Sequence, residues 1–147
     1  RRVRARAATA MNADSGYFEH GADVGVFGRG ADAPAAFCRA AEAMFALMTE
    51  PAAVSPRERI AFAFDEPDLE LALVTWLNLL LSHAADRGLA LARFSLRCSG
   101  AHWEAQAWGE PWREGLERGT GVKGATLTML SVKQEGGAWD ARCVVDV

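Results

Sequence analysis

Two stretches of the chain repeat apolar residues at helical spacing. The first follows Asp32, a residue type that commonly caps helix N-termini, and its apolar stripe consists of Phe37, Ala41, Met44 and Met48. The second covers residues 68–87, where large apolar residues form one broad face, and Gly88 stands where a helix would end. The sequence therefore predicts two amphipathic helices, of which the second is the main packing helix.

Elsewhere apolar and polar residues alternate, which is the period of a β-strand. The predicted strands and hairpins lie at residues 17–20, 24–28, 57–64, 93–107 and 139–147. Two helices among mostly antiparallel strands predict an α+β fold in a single domain. We expect one curved sheet with both helices packed on one of its faces.

The N-terminal residues differ in composition from the rest of the chain. The first ten hold four arginines and no acid, so residues 1–16 are predicted to form a disordered arm or an extension, and residues 17–147 the folded domain. Without those four arginines the formal net charge changes from −3 to −7. An acidic body argues against RNA binding as its main task, because proteins that bind phosphate backbones are usually basic.

Composition also bears on location. The apolar runs are all too short to span a bilayer, which argues against an integral membrane protein. The three cysteines fall within apolar patterns and far apart in sequence, as expected of reduced thiols in the cytoplasm.

Few residues stand out as candidates for chemistry. The sequence has no phosphate-binding glycine loop followed by lysine, no serine elbow and no cysteine–histidine zinc spacing. The polar candidates that remain are His20 and Asp23 between two strand-like runs, Lys123, and Asp146 next to the last residue. From the pattern alone, an aspartate in the position of Asp23 is more often a turn former than a ligand, and Asp146 is equally a solvated strand end.

Five segments, in order along the chain, carry a resemblance to a known family. They are residues 20–25 (His-Gly-Ala-Asp-Val-Gly), 37–49, 76–81 (beginning Trp-Leu-Asn), 119–123 (Gly-Thr-Gly-Val-Lys) and 146–147 (Asp-Val). In these segments the chain resembles archease, the small accessory protein of RtcB-type RNA ligases. The matches run from the predicted first strand to the last residue, so the resemblance covers essentially the whole folded part.

The resemblance implies a function. Archeases help a ligase that joins RNA ends in tRNA splicing and RNA repair, by promoting transfer of GMP from GTP to the ligase's own histidine. It implies a divalent-metal site, calcium or magnesium, with Asp23 and Asp146 as ligands and His20 as a further ligand or a residue that orients one. Lys123 is then the functional base near that site. RNA would be contacted only through the ligase, and the oligomeric state stays open.

The sequence departs from the family pattern at several positions. Three of the departures replace acidic residues that the family could use around the site, and they are Ala35, Leu79 and Gly121. Two other functions stay open. A stand-alone metal-dependent phosphohydrolase using Asp23 and Asp146 would turn over a phosphoester without any partner, and a plain RNA-binding module would bind RNA in a salt-sensitive way.

Overall fold

The computed structural model describes residues 9–12, 14–20 and 23–147. Two α-helices are described, α1 (Ala33–Ala46) and α2 (Leu69–Arg87), and a short 3₁₀ helix follows α1 at Pro51–Ala53. The strands are β1 (Thr9–Asn12), β2 (Ser15–His20), β3 (Asp23–Gly30), β4 (Glu58–Asp65), β5 (Leu89–Ser99), β6 (His102–Pro111), β7 (Gly124–Ala125), β8 (Ser131–Glu135) and β9 (Ala138–Asp146).

The strands form two sheets. The larger has the order β1-β2-β3-β9-β7, with β8 also paired to β9, and the smaller has the order β4-β6-β5. Every described strand pair is antiparallel. The predicted α+β class, with two helices and antiparallel strands in one domain, is confirmed. The single curved sheet needs correction, because the strands divide into these two sheets.

The position of α1 explains why there are two sheets. This helix packs on β3 and β9 of the larger sheet and also on β5 of the smaller one. Its buried residues include Ala36, Phe37, Ala40, Ala41 and Met44, each 0 % exposed. A helix that is apolar on nearly all sides must be covered on more than one side. A sheet on either side of α1 satisfies this requirement.

The ends of both helices follow from local chemistry. Asp32 accepts a hydrogen bond from the backbone N–H of Ala35 at 2.8 Å, and Asp68 accepts one from Leu71 at 3.0 Å. Helix α2 ends at Gly88, whose φ of 65° is the left-handed conformation that glycine adopts without strain. The two helices are joined where the Trp76 indole N–H donates to the Phe37 carbonyl at 2.9 Å.

The larger sheet begins earlier than the sequence analysis indicated. Strand β1 and the start of β2 lie within residues 1–16, the range assigned to an arm, and β1 pairs with β2. The arginines at positions 1, 2, 4 and 6 lie outside the described residues. In the described part of the chain, neither helix is long and apolar enough to cross a membrane.

Helix α1 approaches β3 so closely that their backbones touch. A Cβ atom built on Gly28 would lie 2.3 Å from both the carbonyl oxygen of Ala36 and the amide nitrogen of Ala40. Distances that short cannot be tolerated, and backbone atoms cannot move aside as a flexible side chain could. The absence of a side chain at position 28 therefore fixes how near the helix lies to the sheet.

An ion-pair cluster joins β3 to β9 at the opposite end of these strands from Asp23. The Asp140 carboxylate, 7 % exposed, accepts hydrogen bonds from Arg29 at 3.0 Å and from Arg142 at 2.8 Å. Burial alone would raise the pKa of the Asp140 carboxyl, but the bonds from the two arginines outweigh it and hold the pKa below its ordinary value. The charged form therefore contributes to native stability.

We expect Gly28→Ala to lower the free energy of unfolding by about 2 to 3 kcal/mol, because the new methyl group forces α1 and β3 apart. Urea denaturation measures the loss. Gly121→Ala is the matched control, since a Cβ at Gly121 meets nothing within 4 Å, and its effect should stay within about 0.5 kcal/mol. Equal stability of the two variants would contradict the close contact.

We expect Asp140→Asn to lower the free energy of unfolding by about 2 kcal/mol at neutral pH, because two arginines lose a charged partner. The pKa of the Asp140 carboxyl is lower in the native protein than in the unfolded chain. The stability that the carboxylate contributes is therefore fully present above the pKa of the unfolded chain. It is lost as pH falls through the native pKa, and the wild type and the variant should converge in acid. Urea denaturation at a series of pH values tests this, and Asp65→Asn, in an exposed ion pair with His102, should have little effect.

Candidate functional site

The register of β3 and β9 brings Asp23 and Asp146 to neighbouring strand ends. Val24 pairs with Val145, and each aspartate is the next residue outward on its own strand. Residues that stand opposite one another in an antiparallel pair have their side chains on the same face of the sheet. The two acids, 123 positions apart in sequence, therefore lie side by side at one end of the larger sheet.

Neither carboxylate is neutralised by a described neighbour. Asp23 is half-buried and Asp146 is exposed, and no hydrogen bond or ion pair joins either side chain to another described residue. By contrast, Asp140 on the same strand as Asp146 is held by two arginines. Two adjacent acids that have no basic partner in the described part of the chain form a locally negative site that can attract a cation.

His20 is less well defined than the two acids. Its backbone pairs with Asp23 across the connection from β2 to β3, which puts it at the same end of the sheet. The His20 side chain, together with residues 21 and 22, lies outside the described part of the structure. Its role as a ligand, or as a residue that orients one, stays a prediction.

Lys123 is attached to the same end of the sheet through its backbone. Its amide donates to the carbonyl of Asp146 at 2.7 Å, directly before β7 begins and Gly124 pairs with Asp146. The Lys123 side chain is exposed and, among described residues, makes no ion pair within 4.0 Å. Instead it borders a cavity against α2. The sheet end, or rim, thus carries the two acids and the backbone of Lys123, while the Lys123 side chain lines a cavity whose lining includes neither acid.

Asn78 holds this arrangement in place, and sequence reasoning did not select it as a site residue. From α2 its side-chain oxygen accepts from the Ala125 amide at 2.8 Å, and its nitrogen donates to the Ala125 carbonyl at 3.2 Å. This pair of bonds replaces a neighbouring strand for the two-residue β7. The Trp-Leu-Asn motif at residues 76–78 was the signal that could have identified it.

The segment between β6 and β7 contains no helix or strand, yet it is held firmly. The Thr49 hydroxyl donates to the Glu117 carbonyl at 2.6 Å, and the amides of Gly119 and Thr120 donate to the carbonyls of Met48 and Leu47 at 2.7 and 2.8 Å. At the other end, the Trp112 amide donates to the Gly88 carbonyl at 3.0 Å. This segment, residues 112–123, delivers Lys123 to the sheet end on a fixed backbone.

The donor set can be tested against the implied metal. In the described part, no group of three or more histidine, cysteine, aspartate and glutamate side chains is placed to hold an ion. Two carboxylates suit a hard cation such as Mg²⁺, because this ion is commonly bound by one or two carboxylates and takes its remaining ligands from water or phosphate. Among the described residues, these two carboxylates would form an incomplete site that needs further ligands.

Burial disfavours the thiolate form at two of the cysteines. Burial raises the pKa of the Cys38 thiol to about 12, and burial likewise raises the pKa of the Cys143 thiol to about 12. Both therefore remain protonated thiols at neutral pH, and a thiol must lose its proton to serve as a metal ligand. Cys98, the third free cysteine, lies on β5 in the other sheet.

Comparison with known proteins points to one family. The model of the "Archease protein family (MTH1598/TM1083)" matches residues 16–147. The chain is 32 % identical to the protein archease of Aeropyrum pernix over 135 residues, covering 88 % of this chain and 94 % of that protein. It is 31 % identical to the protein archease of Sulfurisphaera tokodaii, covering 89 % of this chain and 96 % of that protein.

Solved structures agree with the sequence comparisons. The solution structure of Methanobacterium thermoautotrophicum protein 1598 superposes with a TM-score of 0.82 at 30 % identity, covering 90 % of this chain and 98 % of that one. The crystal structure of "an archease, possible chaperone" from Thermotoga maritima gives a TM-score of 0.62 at 17 % identity, covering 88 % of this chain and 94 % of that one. The second likeness concerns the fold alone.

We expect Asn78→Ala to release β7, because the amide and carbonyl of Ala125 lose both side-chain partners. The free energy of unfolding should fall by about 1 to 2 kcal/mol, and the Ala125 amide should exchange with solvent faster than in the wild type. Hydrogen exchange followed by NMR measures this. Asn78→Asp keeps the acceptor for the Ala125 amide but places a carboxylate oxygen against the Ala125 carbonyl, so it should not restore the lost stability. Gln134→Ala on exposed β8 should show no effect.

Proposed function

The chain belongs to the archease family, and from this membership and the geometry of the sheet end we propose that it is a cytoplasmic accessory protein of an RtcB-type RNA ligase. It promotes guanylylation of the ligase, in which a ligase histidine nitrogen attacks the α-phosphorus of GTP and pyrophosphate leaves. Repeated guanylylation sustains multiple turnover in tRNA splicing and RNA repair. The chain itself is a protein cofactor rather than an enzyme.

One observation supports this proposal above others: Asp23, Asp146 and the backbone of Lys123 lie at one sheet end, and none of the three side chains has an ion-pair partner among the described residues. Asp23 and Asp146 would hold a divalent cation, and the cation would relieve the repulsion between them. When bound, the metal would supply positive charge for a phosphate oxygen. Because the described side chains leave coordination positions open, oxygen atoms from a nucleotide or from the ligase can complete the site.

Lys123 adds a positive charge that a cation alone does not provide. Its ammonium group is a compact charge on a flexible stem, suited to a phosphate that arrives on another molecule. Since no described acid pairs with it, no internal ion pair has to break before it meets that phosphate. We propose that Lys123 contacts the ligase-bound nucleotide while the two aspartates anchor the metal.

The proposal is tested by multiple-turnover RNA joining with the cognate ligase. The wild-type protein should raise the turnover number, whereas Asp23→Asn, Asp146→Asn and Lys123→Met should each reduce the stimulation at least about tenfold, equivalent to about 1.4 kcal/mol or more. Matched controls are Asp65→Asn and Lys133→Met, which exchange the same residue types at exposed positions away from the rim. Calorimetric titration with MgCl₂ and CaCl₂ should show weaker binding for the two aspartate variants only.

Equal turnover with and without the wild-type protein would overturn the accessory role. Full stimulation by all three variants would keep the role but reject the site. Hydrolysis of a nucleotide or phosphoester by the isolated protein, abolished by Asp23→Asn and Asp146→Asn, would instead identify a metal-dependent phosphohydrolase.

A further inference from the structure

A cavity of ≈ 520 Å³ lies between the second half of α2 and residues 112–123. Its wall runs along α2 from Asn78 to Gly88, a length of roughly 15 Å at the rise of an α-helix. Lys123 lies at the Asn78 end of the cavity, because it directly precedes β7 and Asn78 binds the backbone of β7. Trp112 lies at the Gly88 end, where its amide bonds to the Gly88 carbonyl. The volume is that of a site for a small organic ligand.

The charged lining of this cavity has one sign. Of the described residues that border it, Arg118 and Lys123 are the charged ones, and neither forms an ion pair with a described acid. The body of the chain outside the first ten residues is acidic, with a formal net charge of −7 after removal of four arginines from −3. Two cations that border one cavity of an acidic protein, without an acidic partner among the described residues, favour an anionic ligand.

Arg118 is held in an orientation suited to a flat ligand. Its guanidinium carbon lies 4.0 Å from the centre of the Trp112 ring, so the planar group rests against the indole. A guanidinium fixed on an aromatic ring can receive a nucleobase against its other face, as it does in nucleic-acid recognition. This end of the cavity therefore offers a stacking surface rather than only a positive charge.

The end of α2 adds acceptors for such a base. Ala84, Ala85 and Gly88 border the cavity, and the last carbonyls of a helix lack partners within the helix. The Gly88 amide donates to the carbonyl oxygens of Ala84 and Ala85. Each of these oxygens has two lone pairs, so each can still accept a hydrogen bond from a ligand. Carbonyl oxygens attract N–H groups and repel phosphate, so they favour the base at this end and the phosphates toward Lys123.

We propose that this cavity binds a nucleoside polyphosphate, with the base stacked on Arg118 and the phosphates directed toward Lys123. This inference rests on the proposed function, since it names a ligand that would bring a nucleotide to the ligase. Binding itself is a property of the isolated protein, so the two ideas can fail separately.

Calorimetric titration of the isolated full chain tests the inference, with EDTA present so that metal binding does not contribute. The probes are GTP, ATP, guanosine and tripolyphosphate. The triphosphates should bind at least about tenfold more tightly than guanosine or tripolyphosphate, because only they use both ends of the cavity. A difference in affinity between GTP and ATP would support contact between the base and the carbonyl oxygens at the end of α2.

Variants locate the binding. Arg118→Gln and Lys123→Met should each weaken GTP binding about tenfold or more, and Ala85→Phe should abolish it by filling the cavity. The matched controls are Arg97→Gln on the distant β5–β6 hairpin and Ala63→Phe on the exposed face of β4, both of which should bind as the wild type does. Thermal unfolding of each variant confirms that it is folded.

Three results would overturn the inference. These are no binding of either triphosphate at millimolar concentration, equal binding of tripolyphosphate and GTP, and unchanged affinity in folded Arg118→Gln and Ala85→Phe. A protein that stimulates the ligase yet binds no nucleotide would reject this inference alone. A protein that binds nucleotides yet leaves the ligase unaffected would reject the proposed function alone.

Discussion

The contact between the backbones of α1 and β3 at Gly28 is the constraint on which the other features depend. It sets the distance between the helix and the larger sheet, and the alanine-rich surface of α1 lets β5 of the smaller sheet pack on the helix from another side. Because β3 is held against α1 and paired with β9, the end of β3 has a fixed position. Asp23 stands at that end, and its neighbour on β9 is therefore determined as well.

Local chemistry made the helices predictable from sequence, but it could not reveal the two sheets. Asp32, Asp68 and Gly88 act within a few residues of their own positions, so helix ends can be recognised without knowledge of the fold. The close-packed face of α1 consists of alanines, whose small side chains contribute little to an apolar pattern. The predicted apolar stripe therefore included Phe37 and Met44 but not Ala36 and Ala40, and one covered face of the helix went unrecognised.

The candidate site shows the same division between local and distant information. Pairing between β3 and β9 joins residues more than a hundred positions apart, and no local pattern specifies it. Only the family resemblance indicated that Asp23 and Asp146 belong together. The two bonds of Asn78 to β7, and the anchoring of residues 112–123, depend on backbone atoms. Backbone partners leave almost no trace in a single sequence, so the anchoring of this segment could not be predicted.

The distribution of stability across the molecule follows from these contacts. The buried charges of Asp140 are neutralised by arginines at one end of β3 and β9, whereas the acids at the other end have no such partners among the described residues. Like charges held side by side repel one another, a cost that a bound cation would reduce. The rigid elements behind them, α1 and the anchored segment, tolerate that cost and keep the acids from moving apart. A site that is incomplete alone and held in place by its scaffold can be completed by another molecule at little further entropic cost.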